Sequence, residues 1–220
     1  MLKPFKYMKG NVLNKCIFHR PAYILFEPVR WAQLFCALLA LTACGGPTLT
    51  RQDMVSAYQE ALVSTASRAR GDWHSDPEAL DEAIDRIQAY YHDMDSLSVE
   101  RMTDEIYAAD AFLCDTLHIA RGSDEIKAYF LKTVSRVNTL TVNILDHSSS
   151  GGEVYTRWTM SISADKLADG RLVTTYGVSH FRFDREGKVI LHQDFWDAST
   201  GFFELLPGFG RFIPRVRGRL

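Results

Sequence analysis

The stretch Gly187-Lys188-Val189-Ile190-Leu191-His192-Gln193-Asp194-Phe195-Trp196-Asp197 decides the fold. An extended strand turns successive side chains to opposite sides, so Ile190, His192, Asp194 and Trp196 share one face and Val189, Leu191, Gln193 and Phe195 the other. A strand that is apolar on both faces is covered on both faces. Yet a histidine and a carboxylate stand on the same side as a tryptophan, and burying an unpaired charge there is strongly unfavourable. Either Asp194 reaches a polar pocket, or it lies near an open strand end, or backbone groups or an arginine satisfy it. The pocket is the expectation carried forward.

Working outward, the same period of two predicts strands at about 138–146, 153–163 and 172–183, with this one at 188–196. Turn-like separators lie between them: Ser148 to Gly152, Ala168-Asp169-Gly170 and Asp184-Arg185-Glu186-Gly187. Upstream, the period is helical. Arg51 to Arg70 predicts a peripheral helix with Met54, Tyr58 and Leu62 at a spacing of four. Ser75-Asp76-Pro77-Glu78 reads as a capping box opening a helix with Leu80, Ile84, Ile87 and Tyr91 on one stripe. A second helix is expected from about Ser98 to Ala109, with Tyr107 inward. Ala111 to Asp115 is extended, a loop runs to Gly122, and Ser123-Asp124-Glu125 caps a third helix ending near Ser135. Helices first and an antiparallel meander afterwards define an α+β fold. A curved antiparallel sheet wraps around about three helices and leaves a cone-shaped pocket.

The chain has 220 residues and a formal net charge of −2, so no global charge argues for nucleic acid. Cys16, Cys36 and Cys44 fall in the N-terminal extension, which leaves Cys114 as a core thiol of the domain. No Cys/His cluster has zinc spacing, and no metal or cofactor is expected. Arg30 is followed by 13 uncharged residues, Trp31 to Ala43, too short to span a bilayer but the length of a secretory apolar region. Leu41-Thr42-Ala43-Cys44 resembles the lipobox of bacterial lipoproteins. That resemblance implies removal of residues 1–43 as a signal peptide and lipidation of Cys44. The domain would then be a membrane-anchored lipoprotein on the periplasmic side or cell surface. About 30 residues before the apolar run are long for the basic region, so translation is expected to start nearer Val29. Residues 44–74 then form a tether and peripheral helix, 75–200 the cone domain, and 201–220 a basic-apolar tail.

The order of elements, with Tyr107-Ala108-Ala109-Asp110-Ala111-Phe112-Leu113-Cys114-Asp115, Arg121-Gly122, Phe181-Arg182-Phe183-Asp184 and Gly187-Lys188-Val189 to Phe195-Trp196, resembles the nuclear transport factor 2-like superfamily and its SnoaL-like branch. Ketosteroid isomerase and limonene epoxide hydrolase belong to the same superfamily. By that resemblance Asp115 matches the isomerase's general base, a carboxylate whose pKa an apolar pocket raises. The alternative is that Asp115 closes an Asx turn. Tyr91 or Tyr90 matches one oxyanion donor, while the other falls on Ser179, a weaker one. Asp194 matches one of the hydrolase's two carboxylates. Its arginine would be Arg157, which parity puts on the far face, and its second carboxylate falls on Thr159. Neither catalytic set is complete.

What survives is a pocket with Asp115, Asp194 and His192 as candidate catalytic groups, and Tyr91, His118, Trp158, Met160, Ser179 and Trp196 as candidate ligand contacts. His192 and Asp194, roughly 7 Å apart along one strand, suit a shared ligand or water better than a direct hydrogen bond. His180 has the opposite parity and no assigned role. A small hydrophobic or amphipathic molecule is the expected partner, bound unchanged or transformed by a pocket carboxylate in an isomerase, cyclase or hydrolase reaction. A homodimer through the outer face of the sheet is also expected. The tail, Leu205 to Leu220, alternates basic and apolar residues without acids. It could rest on anionic headgroups, or pack over the cone's mouth or a dimer partner and leave its arginines in water. Pro207, Pro214 and the glycines interrupt an amphipathic helix and favour the second.

Overall fold

The strand Val189–Trp196 lies inside a six-stranded sheet, with a neighbouring strand on each side and side chains packed on both faces. The computed structural model describes residues 49–165, 167–206 and 209–219. The signal-peptide, start-site and Cys44 expectations therefore lie outside the described residues. The helices are α1 (Arg51–Thr65), α2 (Pro77–His92), α3 (Ser96–Ile106), α4 (Ser123–Val134), α5 (Ala198–Gly201) and α6 (Phe212–Arg217). The strands are β1 (Tyr107–Cys114), β2 (Ile119–Arg121), β3 (Thr139–Ser150), β4 (Glu153–Ser163), β5 (Val173–Phe183) and β6 (Val189–Trp196), in the order β2-β1-β6-β5-β4-β3.

The α+β class holds, but the sheet is mixed rather than antiparallel. β1 runs parallel to β6, with Leu113 opposite His192, while β3 to β6 form the expected meander. The segment expected as a short extended piece is a full strand. The chain leaves α3 at Ile106 and Tyr107 is already extended, at φ −104° and ψ 139°. Two caps also move. Asp76, not Ser75, caps α2 by accepting from Ala79 N at 3.2 Å, with Pro77 in the first turn where a missing N–H matters least. Gly122, not Ser123, precedes α4, at φ +83°. A Cβ there would lie 2.9 Å from Ala109 O, so the bend from β2 into α4 requires glycine on both counts.

Two apolar clusters sit on opposite sides of this sheet. The larger joins Leu80, Ile84 and Ile87 of α2, Val99 and Ile106 of α3, and Ile126 and Phe130 of α4 to Leu113, Phe181 and Ile190 of the sheet. Burying each of its large aliphatic side chains stabilises the fold by about 1.5–3 kcal/mol. The smaller lies on the outer face. There Ala57 and Ala61 of α1 let the helix approach Phe112, Cys114 and Leu191, while Met54, Tyr58 and Leu62 pack alongside, as their spacing of four predicts. This is why β6 is apolar on both faces. The outer face expected to dimerise is thus covered by α1 where it crosses β1 and β6. Tyr155, Tyr176 and Val178 remain exposed on the rest of it.

A polar network pins α1 to the sheet. Arg182 Nη1 donates to Leu62 O at 2.6 Å and to Thr65 Oγ1 at 2.9 Å, at the helix end whose carbonyls carry partial negative charge. Its Nε donates to Glu153 at 2.9 Å. Glu153 also holds His180 Nε2, and His180 Nδ1 meets the Tyr58 hydroxyl at 2.8 Å. His180, correctly placed on the outer face, belongs to this latch.

Candidate functional site

Between the inner face of the sheet and α2 and α4 lies a cavity of about 350 Å³. Its wall is mainly apolar: Ile87, Met94, Leu113, Leu117, Phe130, Leu140, Val142, Trp158, Met160 and Phe181 are among its lining residues. Alternation along β4 turns Trp158, Met160 and Ile162 inward and leaves Arg157 outside, where its Nε donates to Asp146 at 3.1 Å. Asp115, Asp194, His192, Tyr91, Ser179 and Trp196, all anticipated from the sequence, also line it. His118 does not. It stacks on Tyr129 with ring centroids 4.5 Å apart, behind the side chain that does face the cavity.

The polar groups form one chain. Trp158 Nε1 donates to Ser179 Oγ at 2.8 Å, and Ser179 donates to Asp194 Oδ1. His192 Nε2 meets the same oxygen at 2.8 Å. The pair was expected to suit a shared ligand or water better than a direct hydrogen bond, and the direct bond forms instead: their α-carbons are separated along the strand, but the imidazole is long enough to lean across. His192 Nδ1 meets the Tyr107 hydroxyl at 2.8 Å, and Tyr107 bonds Tyr91. Burial pushes both tyrosines well above the usual phenol range, which keeps them as hydroxyls. In the neutral ring, Nε2–H donates to the carboxylate and Nδ1 accepts from Tyr107, so both nitrogens are engaged. His192 is thus a positioning group rather than an open base.

The two carboxylates differ. Asp115 Oδ1 accepts from Leu117 N at 3.0 Å and His118 N at 2.7 Å, and Oδ2 accepts from the Tyr129 hydroxyl. The Asx turn weighed for Asp115 is present, and the same side chain lines the cavity. Asp194 Oδ1 carries Ser179 and His192, while its Oδ2 has no hydrogen-bond partner among the described residues. Of the two carboxylates, the one with an open acceptor is therefore Asp194; Thr156 Oγ1, on the same wall, is also buried without a partner among the described residues. Reasoning from sequence missed Tyr107 and Tyr129. The available signal for Tyr129 was its place beside Ile126 and Phe130 on the inward stripe of α4. Tyr107 was read as inward, but as part of a helix.

Asp115 also yields a pH signature. Burial raises its pKa above the ordinary carboxylate value of 3.8, reinforced by the nearby Asp194 and opposed by Tyr129 and the two backbone N–H groups. A raised acid takes up its proton more readily in the folded state, so its charge costs stability at neutral pH. That cost fades as pH falls through the folded pKa towards 3.8. Asp115→Asn is expected to unfold at a higher temperature than the parent at pH 7, with the gap narrowing on acidification. Calorimetry from pH 7 to pH 4 checks this. A parent that is the more stable at pH 7 would contradict it.

No group of three or more His, Cys, Asp or Glu side chains among the described residues could hold a metal ion. The model of the SnoaL-like domain family matches residues 87–192, from within α2 to within β6. No curated protein matches. Among solved structures, TsrD from Streptomyces laurentii is 19% identical, covering 60% of this chain and 97% of its own, at a TM-score of 0.49. A protein with a ketosteroid isomerase-like fold from Catenulispora acidiphila, solved with trimethylamine, is 14% identical, covering 57% and 92%, at 0.49. An LEH-like epoxide hydrolase from M. tuberculosis is 18% identical, covering 61% and 94%, at 0.46.

Proposed function

We propose that the chain, whose residues 87–192 match the model of the SnoaL-like domain family, binds a small, largely apolar molecule bearing one hydrogen-bond donor, and seats that donor on Asp194 Oδ2. The observation that carries this is the open carboxylate oxygen of Asp194, the one such oxygen among the described lining residues, in a mainly apolar cavity of about 350 Å³ whose other polar groups include Thr156 and Arg136. That volume suits a one- or two-ring molecule, and a few fixed polar groups in an apolar wall are the usual means of orienting one. Trp158 and Trp196 line the same cavity and supply the readout. A monoterpene alcohol should quench their fluorescence at a concentration at least about tenfold below that of its parent hydrocarbon, the worth of one good hydrogen bond. Asp194→Ala should erase the difference. Equal affinity for alcohol and hydrocarbon in the parent would remove the basis for the proposal.

A second reading, proton transfer with Asp194 as general base, draws on the way His192 and Ser179 orient its carboxylate. The matched carboxylate and arginine of the hydrolase pattern do not converge, because Arg157 points away, so the binding reading is preferred. We further propose that lipidated Cys44 holds the domain at a membrane outside the cytoplasm. Cys44→Ser should move the protein from the membrane to the soluble fraction, and unchanged partitioning with an unmodified Cys44 would defeat this. A homodimer through the sheet is retained only for the open part of its outer face.

A further inference from the structure

Beyond the cavity, the chain ends in a segment that the core leaves unused. Gly201 and Phe202 line the cavity, and short helical turns at Phe203–Leu205 and Phe209–Arg211 precede α6. Phe209, Phe212 and Val216, at spacings of three and four, form one stripe along it and are 54%, 61% and 42% exposed. Of the two packings expected for the apolar tail residues, over the cone's mouth or against a dimer partner, these three do not make the first. Pro214 does not prevent α6, because it falls in the first turn, where its missing N–H has no partner to lose.

Beside this stripe run Arg211, Arg215 and Arg219, at a spacing of four, all exposed. Arg217 pairs with Glu204, and no acid follows Glu204 in the sequence. None of the other three arginines has an ion-pair partner among the described residues. Three exposed apolar side chains flanked by three uncompensated cations match the boundary of an anionic bilayer, where rings and aliphatics enter the headgroup region and guanidinium groups meet phosphates. Among the described residues no helix is long and apolar enough to cross a membrane, so the segment would lie on the surface.

We propose that the segment Phe209 to Arg219 docks on anionic phospholipid, bringing the Phe202 edge of the cavity to the membrane from which an apolar ligand would come. The docking itself stands apart from the lipidation of Cys44 and from the identity of the cavity's ligand. The test uses the chain beginning at Gly45, which lacks Cys44 and retains the compact unit Leu49–Leu220, with its whole sheet and both apolar clusters. It is floated with vesicles of phosphatidylcholine alone or with 30 mole percent phosphatidylglycerol (~30%, a typical anionic fraction). Binding is expected only to the anionic vesicles, and it should weaken steeply with salt. The triple variant R211Q/R215Q/R219Q should lose on the order of 100-fold in partitioning, from about fivefold per arginine. F209S/F212S/V216S should weaken binding while circular dichroism stays unchanged. Should the arginine variant instead lose its circular dichroism signal, salt sensitivity of the parent on anionic vesicles decides. Absence of anionic binding, equal binding to neutral vesicles, or self-association through this stripe seen by light scattering would each overturn the proposal.

Discussion

Glu153→Ala is expected to lower the thermal midpoint by about 10 °C, from about 2–4 kcal/mol at roughly 2–4 °C per kcal/mol for a chain of this size. The reason is what it abandons. The Arg182 side chain is 9% exposed, and among the described residues Glu153 is the one carboxylate that meets it. Its remaining partners, Leu62 O and Thr65 Oγ1, cannot neutralise it. Breaking one side of a buried pair leaves an uncompensated charge, and the 32% exposure of Glu153 places the effect below the upper end of the usual range. Replacing both members, Glu153→Leu with Arg182→Met, should recover most of the loss, because the penalty belongs to the orphaned charge rather than to the missing attraction. The damage should centre on α1, which this latch ties down, and appear as faster amide exchange across Arg51–Thr65. Acid should loosen the same helix. Arg182 holds Glu153 below its ordinary 4.5, so that contribution is present above 4.5 and is lost as pH falls below it. Burial holds His180 below 6.5, so its contribution is present above 6.5 and is lost as pH falls through the folded value. Denaturant melts of the single and double variants decide the matter; a single variant within about 0.5 kcal/mol of the parent, an ordinary surface value, would refute it.

This latch shows where a sequence stops being legible. Parity along β6 placed His192, Asp194 and Trp196 together, and parity along β5 set His180 opposite Ser179, because alternation is a local property of an extended chain. The spacing of Met54, Tyr58 and Leu62 likewise identified the face α1 buries. What that face met was not readable. The contact between Tyr58 and His180 spans 122 residues, and nothing near either residue names the other. The parallel pairing of β1 with β6 was missed for a similar reason. It joins segments about 80 residues apart, and a run such as Ala111-Phe112-Leu113-Cys114 gives a strand no direction. In the cavity, residue types and faces came through, but the division of labour did not. Asp115 and Asp194 are both carboxylates expected to face inward. Only coordinates distinguish the one saturated by Leu117, His118 and Tyr129 from the one with an oxygen to spare.

Gly177→Val should combine a stability loss of about 3 kcal/mol with a collapse of cavity binding, because this glycine makes room for a side chain on which the site depends. Glycine in mid-strand is itself unfavourable by about 0.5–1 kcal/mol relative to alanine, so its presence calls for a local reason. Gly177 sits opposite Trp158 on β4 and Trp196 on β6. A Cβ built there would lie 2.8 Å from Cε2 of Trp158 and closer still to Cζ2 and Cη2. The indole cannot simply lean away, since its Nε1 is committed to Ser179, and through Ser179 to Asp194. Valine therefore expels the ring. The indole leaves its hydrogen bond, Ser179 becomes free to turn, and the displaced ring occupies space that an apolar ligand would need. Quenching by the monoterpene alcohol should weaken by more than about 100-fold, beyond the tenfold assigned to the Asp194 contact, because shape and polarity fail together. Trp158→Leu in the Gly177→Val background separates the two effects. It removes the collision and should restore much of the midpoint, while discrimination between alcohol and hydrocarbon stays impaired, because Ser179 no longer has a donor holding it towards Asp194. A Gly177→Val protein with the parent's midpoint and the parent's affinity would mean that Trp158 moves freely and that the chain from Trp158 to Asp194 does not organise the cavity.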